Sequence, residues 1–391
     1  MKKGLRYLPY LFAAFAAFAA FAAFAAFAAF AAFAAFAAFA AFAAFAVSSH
    51  AAVIYQANDG SNIDLYGRLG FNVSDKKTGD TSGDFDARIG FSARQAINDK
   101  IAIIGFTQYQ VNAAEYANNI KAEDPDDFTA RYVWAGVDLA EYGKITGGRV
   151  SSGLIMFTDI GDVFASSDVA AARQANFIDP TAVQVFRQDG TIQYQNTIGN
   201  VDFSTAYILG NNSSDLDYGV NAAVRYTLDM GAAGKLQPVL VAQKSKASHD
   251  ETSAQSDDNA DEYTMWGAGS RYYIGDFMFG LLYSEDTVQY LDGRPGSTDK
   301  DYEATLVYSL TPEWWLRAGY RHLENEDGDE LKLRDTTFEV QYKATTRSSV
   351  YASYSWRNGE AGKNRVTGST VSFGGSDPAD DYFHVGLRYE F

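Results

Sequence analysis

Residues 62–74 read NIDLYGRLGFNVS, and this stretch decides the fold of the chain. Its odd positions carry Ile, Leu, Gly, Leu, Phe and Val, whereas its even positions carry Asn, Asp, Tyr, Arg, Gly, Asn and Ser. Successive side chains of a β-strand point to opposite faces, so this strict period of two gives one apolar face and one polar face. We therefore predict an amphipathic β-strand here and exclude a helix.

The same alternation recurs along the rest of the chain. Residues 84–94 carry Phe, Ala, Ile, Phe and Ala at their odd positions, and the last run keeps apolar side chains on one face up to the terminal Phe391. We predict sixteen such strands, most of which reach the roughly 9–11 residues that a strand needs to cross a membrane. Their predicted bounds are 62–74, 84–97, 100–113, 127–139, 143–151, 183–196, 200–211, 216–229, 234–247, 261–274, 276–289, 301–310, 313–325, 331–344, 348–358 and 380–391.

The connections between these strands alternate in length. Short turns such as residues 98–99 fall on one side, and long acidic loops such as 114–126 and 152–182 fall on the other. This pattern predicts an all-β, antiparallel, 16-stranded transmembrane barrel, because only a closed sheet leaves no unpaired edge in lipid. Sixteen strands enclose a water-filled lumen, whereas about eight would be filled by side chains. The alternative is a large soluble all-β protein with half-exposed strands.

Tryptophans recur near the ends of the predicted strands, which favours aromatic girdles at the two membrane interfaces. They are Trp134, Trp266, Trp314, Trp315 and Trp356.

The first 51 residues have the pattern of an export signal. Three basic residues precede an apolar run built from a Phe-Ala-Ala repeat between Phe12 and Ala46, and the segment Ser49-His50-Ala51 that follows fits a small-residue cleavage site. The length of the run alone would also allow a membrane-spanning helix. We predict a cleaved signal peptide at 1–51 and a single barrel at 52–391, exported through the periplasm.

Composition excludes several classes of function. Without the three basic residues of the signal, 29 Lys and Arg face 49 Asp and Glu, a net charge of −20 that disfavours nucleic acid. The chain has no Cys, and therefore neither disulfides nor thiolate metal sites. The histidines after the signal, His249, His322 and His384, lie in no catalytic motif. We predict no enzyme activity, no cofactor and no metal site, although some outer-membrane barrels are hydrolases.

Several motifs resemble the general diffusion porins of Gram-negative bacteria. The chain shares with them DLYGR at 64–68, ARIGF at 87–91, RYVWAG at 131–136 and LRYEF at 387–391. The resemblance implies a homotrimeric channel in the cell outer membrane, in contact with its lipid and lipopolysaccharide, for passive diffusion of ions and small hydrophilic solutes. It also implies that Tyr389 and Phe391 belong to a signal read by the outer-membrane assembly machinery. The alternative is a substrate-specific channel for sugars or oligopeptides.

The resemblance further implies a constriction, where the long third loop folds into the lumen opposite a basic wall. Charged side chains at membrane depth mark ion paths, and opposed charges there set selectivity. The large acid excess leads us to expect weak cation selectivity that fades as salt rises. The loop lacks the Pro-Glu-Phe-Gly-Gly segment of enteric members, which leaves the choice of loop acid open. The implied wall residues are Arg68, Arg88, Arg131 and Arg187, and the implied loop acids are Asp159, Asp162 and Asp168.

Overall fold

Sixteen antiparallel strands form the barrel in a computed structural model that describes residues 52–76, 80–111, 128–165, 169–178, 185–210, 216–248, 260–291, 293–365, 367–373 and 376–391. Each strand pairs with the next along the chain, and the first pairs with the last, so the sheet is closed. The strands, numbered β1 to β16, are Asn62–Ser74, Ser82–Ala96, Ala102–Val111, Phe128–Asp138, Lys144–Ser151, Arg187–Ile198, Val201–Leu209, Leu216–Tyr226, Lys235–Ala247, Ala260–Ile274, Phe277–Tyr290, Ser297–Ser309, Trp314–Glu326, Lys332–Lys343, Ser348–Arg357 and Tyr382–Glu390.

The predicted sixteen-stranded barrel is confirmed, and most strand bounds lie within a few residues of those predicted. The strand starts that differ most from the predicted ones are those of β6 and β12. Strand β12 begins at Ser297 instead of residue 301. Its first four residues, Ser-Thr-Asp-Lys, are polar on both faces and therefore lack the alternation from which the bounds were predicted. The predicted signal segment, residues 1–51, lies outside the described residues.

Small elements complete the described chain. Strand Ala52–Gln56 pairs with the beginning of β1. Strand β16 pairs with the same edge of β1 at later residues. The third long connection, residues 152–186, contains helix Ile155–Thr158 and 3-10 helix Arg173–Phe177. None of the helices in the described ranges combines the length and the apolarity that crossing a bilayer requires.

The two faces of the wall differ in polarity, as β11 and β12 illustrate. On the outer face, Leu281 is 66% exposed and Tyr302 is 49% exposed. On the inner face, Asp299 and Asp301 are fully buried. Apolar residues therefore face outward and carboxylates face inward, which is the reverse of a soluble protein and matches a wall between lipid and a polar interior.

Outward-facing rings form rows at both ends of this wall. Trp266, Tyr283 and Tyr302 contact one another in sequence, with ring centroids 5.3 Å and 4.6 Å apart. At the opposite end, the rings of Phe277 and Tyr308 stack at 4.4 Å. Two tryptophans that were expected in these girdles, Trp134 and Trp315, face inward instead. They share a strand face with Tyr132 and Arg317, which line the cavity described below.

The wall polarity gives a test of the lipid-facing assignment. Leu281→Arg places a charge on the outer face in the middle of β11, and we expect it to destabilise the folded barrel by roughly 2–4 kcal/mol. Ser92→Arg, which adds the same charge on the inner face of β2, should cost far less because water is present there. Reversible unfolding in lipid vesicles measures both. Equal costs for the two variants would contradict the assignment of faces.

Candidate pore constriction

A cavity of about 690 Å³ lies inside the barrel, between the wall and the third long connection. The four predicted wall arginines and one of the predicted loop acids, Asp162, all line it. Two further arginines and one further acid were not predicted. Among the described residues, the charged lining consists of Arg68, Arg88, Arg131, Arg187, Arg317, Arg388, Asp162 and Glu339.

Two adjacent strands place Arg68 and Arg88 directly opposite each other. Like charges in a cross-strand pair repel, so acids between them are needed. Asp86 supplies one, with its oxygens 3.5 Å from Arg68 Nη1 and 3.0 Å from Arg88 Nε. Glu390 on the last strand accepts a second contact, 2.6 Å from Arg68 Nη2. These ion pairs hold the guanidinium groups against the wall while leaving them accessible from the cavity.

A β-bulge directs Arg131 into the lumen. Gln108 pairs with Tyr132 and Tyr109 pairs with Ala130, so Arg131 is the extra residue without an opposite partner. Bulges redirect side chains in this way, and here both Arg131 and Tyr132 line the cavity. The Nε–H of Arg131 donates to Gln108 Oε1 at 3.0 Å. Strict alternation would have placed Arg131 with the outward-facing Val133.

The opposite side of the cavity contains an ion pair that the sequence analysis missed. Arg317 donates through Nη1 to Glu339 Oε1 at 2.5 Å and through Nη2 to Gln341 Oε1 at 2.6 Å. The other oxygen of Glu339 accepts the backbone N–H of Ala165 at 2.8 Å, which ties the loop to this wall. The period-two alternation puts Arg317 and Arg388 on the inward face of their strands. Both arginines could have been predicted from this alternation.

The loop acids separate into different environments. Asp162 is exposed in the cavity, and its backbone N–H donates to Thr158 O at 2.9 Å after the short helix. Asp159 is not among the cavity-lining residues, and the positive charges that act on its carboxyl are those of Arg271 and Arg225. Burial raises the pKa of the Asp159 carboxyl, and these two arginines offset part of that rise. Asp168 lies outside the described residues.

Arg173 anchors the far end of the same connection to the wall. Its Nε and Nη2 donate to the two oxygens of Asp299 at 2.7 and 2.6 Å, and its Nη1 donates to Asp329 at 2.6 Å. Burial lowers the pKa of Arg173, but the ion pairs with Asp299 and Asp329 outweigh it, so the pKa is raised overall. The next residue, Gln174, donates its backbone N–H to Asp286 at 2.7 Å.

Backbone groups of the connection make two further contacts with β12. The N–H of Ala170 donates to Glu303 Oε1 at 3.0 Å, and Thr305 Oγ1 donates to Ile160 O at 2.8 Å. No group of three or more metal-binding side chains occurs within the described ranges. These contacts join the described parts of the connection to inward-facing side chains of the wall.

A closed barrel with an apolar outer wall and a polar inner wall containing a cavity defines a transmembrane channel. A family model described as Gram-negative porin matches residues 13–362, and the chain belongs to that family. It is an outer-membrane channel for passive diffusion and not an enzyme.

Relatives and solved structures resemble the chain over most of its length. Outer membrane protein U of Vibrio parahaemolyticus is 24% identical over 349 residues, which cover 88% of this chain and 94% of that protein. The trimer form of OmpT from Vibrio cholerae has a TM-score of 0.63 at 17% identity, covering 85% of this chain and 99% of that one. An anion-selective porin from Comamonas acidovorans has a TM-score of 0.66 at 14% identity, covering 85% and 100%.

Proposed function

We propose that the cavity is the constriction of a diffusion channel for ions and small hydrophilic solutes, narrowed by the third long connection. The observation that carries this proposal is the convergence of six arginines from separate strands on one cavity that also contains Asp162. A field between opposed charges orients water and dipolar solutes as they pass and decides which ions pass.

The sign of the selectivity depends on two competing groups of charges. Within the cavity, arginines outnumber the lining acids Asp162 and Glu339, which favours anions locally. Over the chain after the signal, the acid excess of −20 attracts cations to the mouth. The mouth effect reaches only about a Debye length, roughly 10 Å at 0.1 M salt and 3 Å at 1 M. We therefore propose weak cation selectivity at low salt that fades as salt rises.

Reversal potentials in planar bilayers test this proposal. Arg88→Ala should raise the conductance and increase the cation-to-anion permeability ratio at least twofold, because one positive charge leaves the cavity. Asp162→Asn should shift the ratio in the opposite direction. Arg94→Ala is the matched control, since Arg94 lies on the same strand about 20 Å away, where it pairs with Asp138. A wild-type channel that selects anions at low salt, or equal ratios for Arg88→Ala and Arg94→Ala, would contradict the proposal.

The assembly we propose is a homotrimer embedded among outer-membrane lipid and lipopolysaccharide. The trimer form of the structurally similar V. cholerae protein supports it. We also propose that the outer-membrane assembly machinery reads the C-terminal aromatics Tyr389 and Phe391. Residues 1–51 would serve as the export signal that brings the chain to the periplasm.

A further inference from the structure

Three aromatic side chains form a patch on the inner wall next to the arginines. The ring of Phe106 lies 5.9 Å from that of Tyr132 and 6.0 Å from that of Trp134, measured between centroids. All three side chains are half-buried. Tyr132 lines the cavity together with its neighbour Arg131, so the patch begins at the constriction.

Strand register shows that the patch faces the lumen. Phe106 shares a face of β3 with Gln108 and Gln110, whose side chains contact Arg131 and Arg88. Trp134 is directly opposite Phe106, on the face of β4 that carries Tyr132. Gln110 pairs with Arg88, and Phe106 lies four residues before Gln110 on β3. The level of Phe106, at the far end of the patch, is therefore about 13 Å from the level of Arg88, on the periplasmic side.

The surroundings of the patch leave the rings accessible. On the flanking strand β2, Phe106 pairs with Ser92, and on the flanking strand β5, Trp134 pairs with Gly148. Neither residue is large enough to cover a ring. Gly148 has a φ of +128° and lies against Trp134, so a larger residue is strained there. An aromatic surface left open inside a polar lumen is costly to hydrate and marks a place where an apolar group can bind.

We propose that Phe106, Tyr132 and Trp134 form a stacking subsite for small cyclic carboxylates as they cross the constriction. The ring of the solute would lie on the aromatic patch, and its carboxylate would contact Arg131 or Arg88. Guanidinium groups recognise carboxylates through paired hydrogen bonds, and ring faces stack favourably in offset geometry. The inference rests on the proposed constriction and adds to it a class of solute that is retained longer than others of similar size.

Single-channel recording with three probes tests the subsite. Benzoate carries both the ring and the carboxylate, acetate lacks the ring, and benzyl alcohol lacks the charge. We expect benzoate to interrupt the current for at least five times longer than either of the others. Trp134→Ala should shorten the benzoate interruptions at least fivefold, and Phe106→Leu, which keeps the volume near that of the native residue, should shorten them at least twofold.

Trp356→Ala provides the control, because Trp356 is 40% exposed on the outer face, where its ring contacts Phe338 and Tyr354. It should leave the benzoate interruptions unchanged. Normal ion conductance of each variant shows that the channel has folded, and the selectivity of Arg88→Ala tests the constriction separately. Interruptions that do not differ between benzoate and acetate, or that are unchanged in both Trp134→Ala and Phe106→Leu, would overturn the subsite and leave the channel function standing.

Discussion

Arg173→Met is expected to release the third long connection from the barrel wall while the barrel itself stays folded. The guanidinium of Arg173 is 10% exposed and its partners Asp299 and Asp329 are 0% and 5% exposed, so water screens these ion pairs little. Removing one partner from such a pair costs about 3–5 kcal/mol, because it leaves an uncompensated buried charge. Asp299 and Asp329 would both lose their cation. The carboxylate of the buried Asp286 also acts on Asp299, and it adds to the repulsion there.

The consequences should be visible in the open channel. Contacts at Ala165 and Ala170 remain in Arg173→Met, so we expect the loop to detach in part and to fluctuate. Current noise should rise, and protease added from the loop side should cut between residues 152 and 186 much faster than in the wild type. Arg94→Met is the control, because Arg94 is 44% exposed and its ion pair contributes little. Equal noise and equal proteolysis in both variants would show that Arg173 does not hold the loop.

A second substitution separates charge from packing. Asp299→Asn added to Arg173→Met removes one of the carboxylates that lost its partner. If electrostatic repulsion drives the release, the double variant should be cut more slowly than Arg173→Met alone. A double variant that is cut faster would mean that the lost hydrogen bonds matter more than the unpaired charge.

The sequence predicts the barrel well because a single rule governs the whole wall. Each strand separates lipid from a polar interior, so period-two alternation repeats and places all sixteen strands. The same rule assigns Arg68 and Arg88 to the lumen, since both alternate with apolar residues. It fails where neither face contacts hydrocarbon, as at the first residues of β12, and there the boundary could not be predicted.

The site was only partly predictable, for reasons of local geometry. Alternation alone predicts that Arg131 faces lipid, and only the resemblance to a family implied a position in the lumen. The bulge that brings Arg131 to the cavity has no signature in the sequence. Asp159 and Asp162 are three residues apart and follow the short helix. The charges of Arg225 and Arg271 act on Asp159, whereas Asp162 lines the cavity. Glu339 joins the site only because closure of the barrel brings its strand, β14, within three strands of β1.

Gly67 lies at the seam that closes the barrel, and Gly67→Leu is expected to lower the amount of folded protein. The backbone of Gly67 exchanges two 2.9 Å hydrogen bonds with Phe391, which join the first strand to the end of the chain. The ring of Phe391 lies over Gly67, where even a Cβ atom would overlap it. A leucine must displace this ring, and overpacking costs up to about 1–3 kcal/mol. Gly70→Ala, whose Cβ would meet only ordinary contacts, is the control for adding a side chain to a glycine of β1.

Combining Gly67→Leu with Phe391→Ala distinguishes packing at the seam from recognition of the C-terminus. If the ring serves mainly to pack on Gly67, the double variant should refold in detergent better than Gly67→Leu alone, because the overlap is relieved. If the ring is also read during assembly, Phe391→Ala should refold from denaturant nearly as well as the wild type and yet accumulate poorly in the outer membrane of cells. Heat-modifiable mobility on gels measures folded barrel in both settings. Normal accumulation of Phe391→Ala in cells would remove the recognition role, whereas equal refolding of Gly67→Leu and the wild type would remove the packing role.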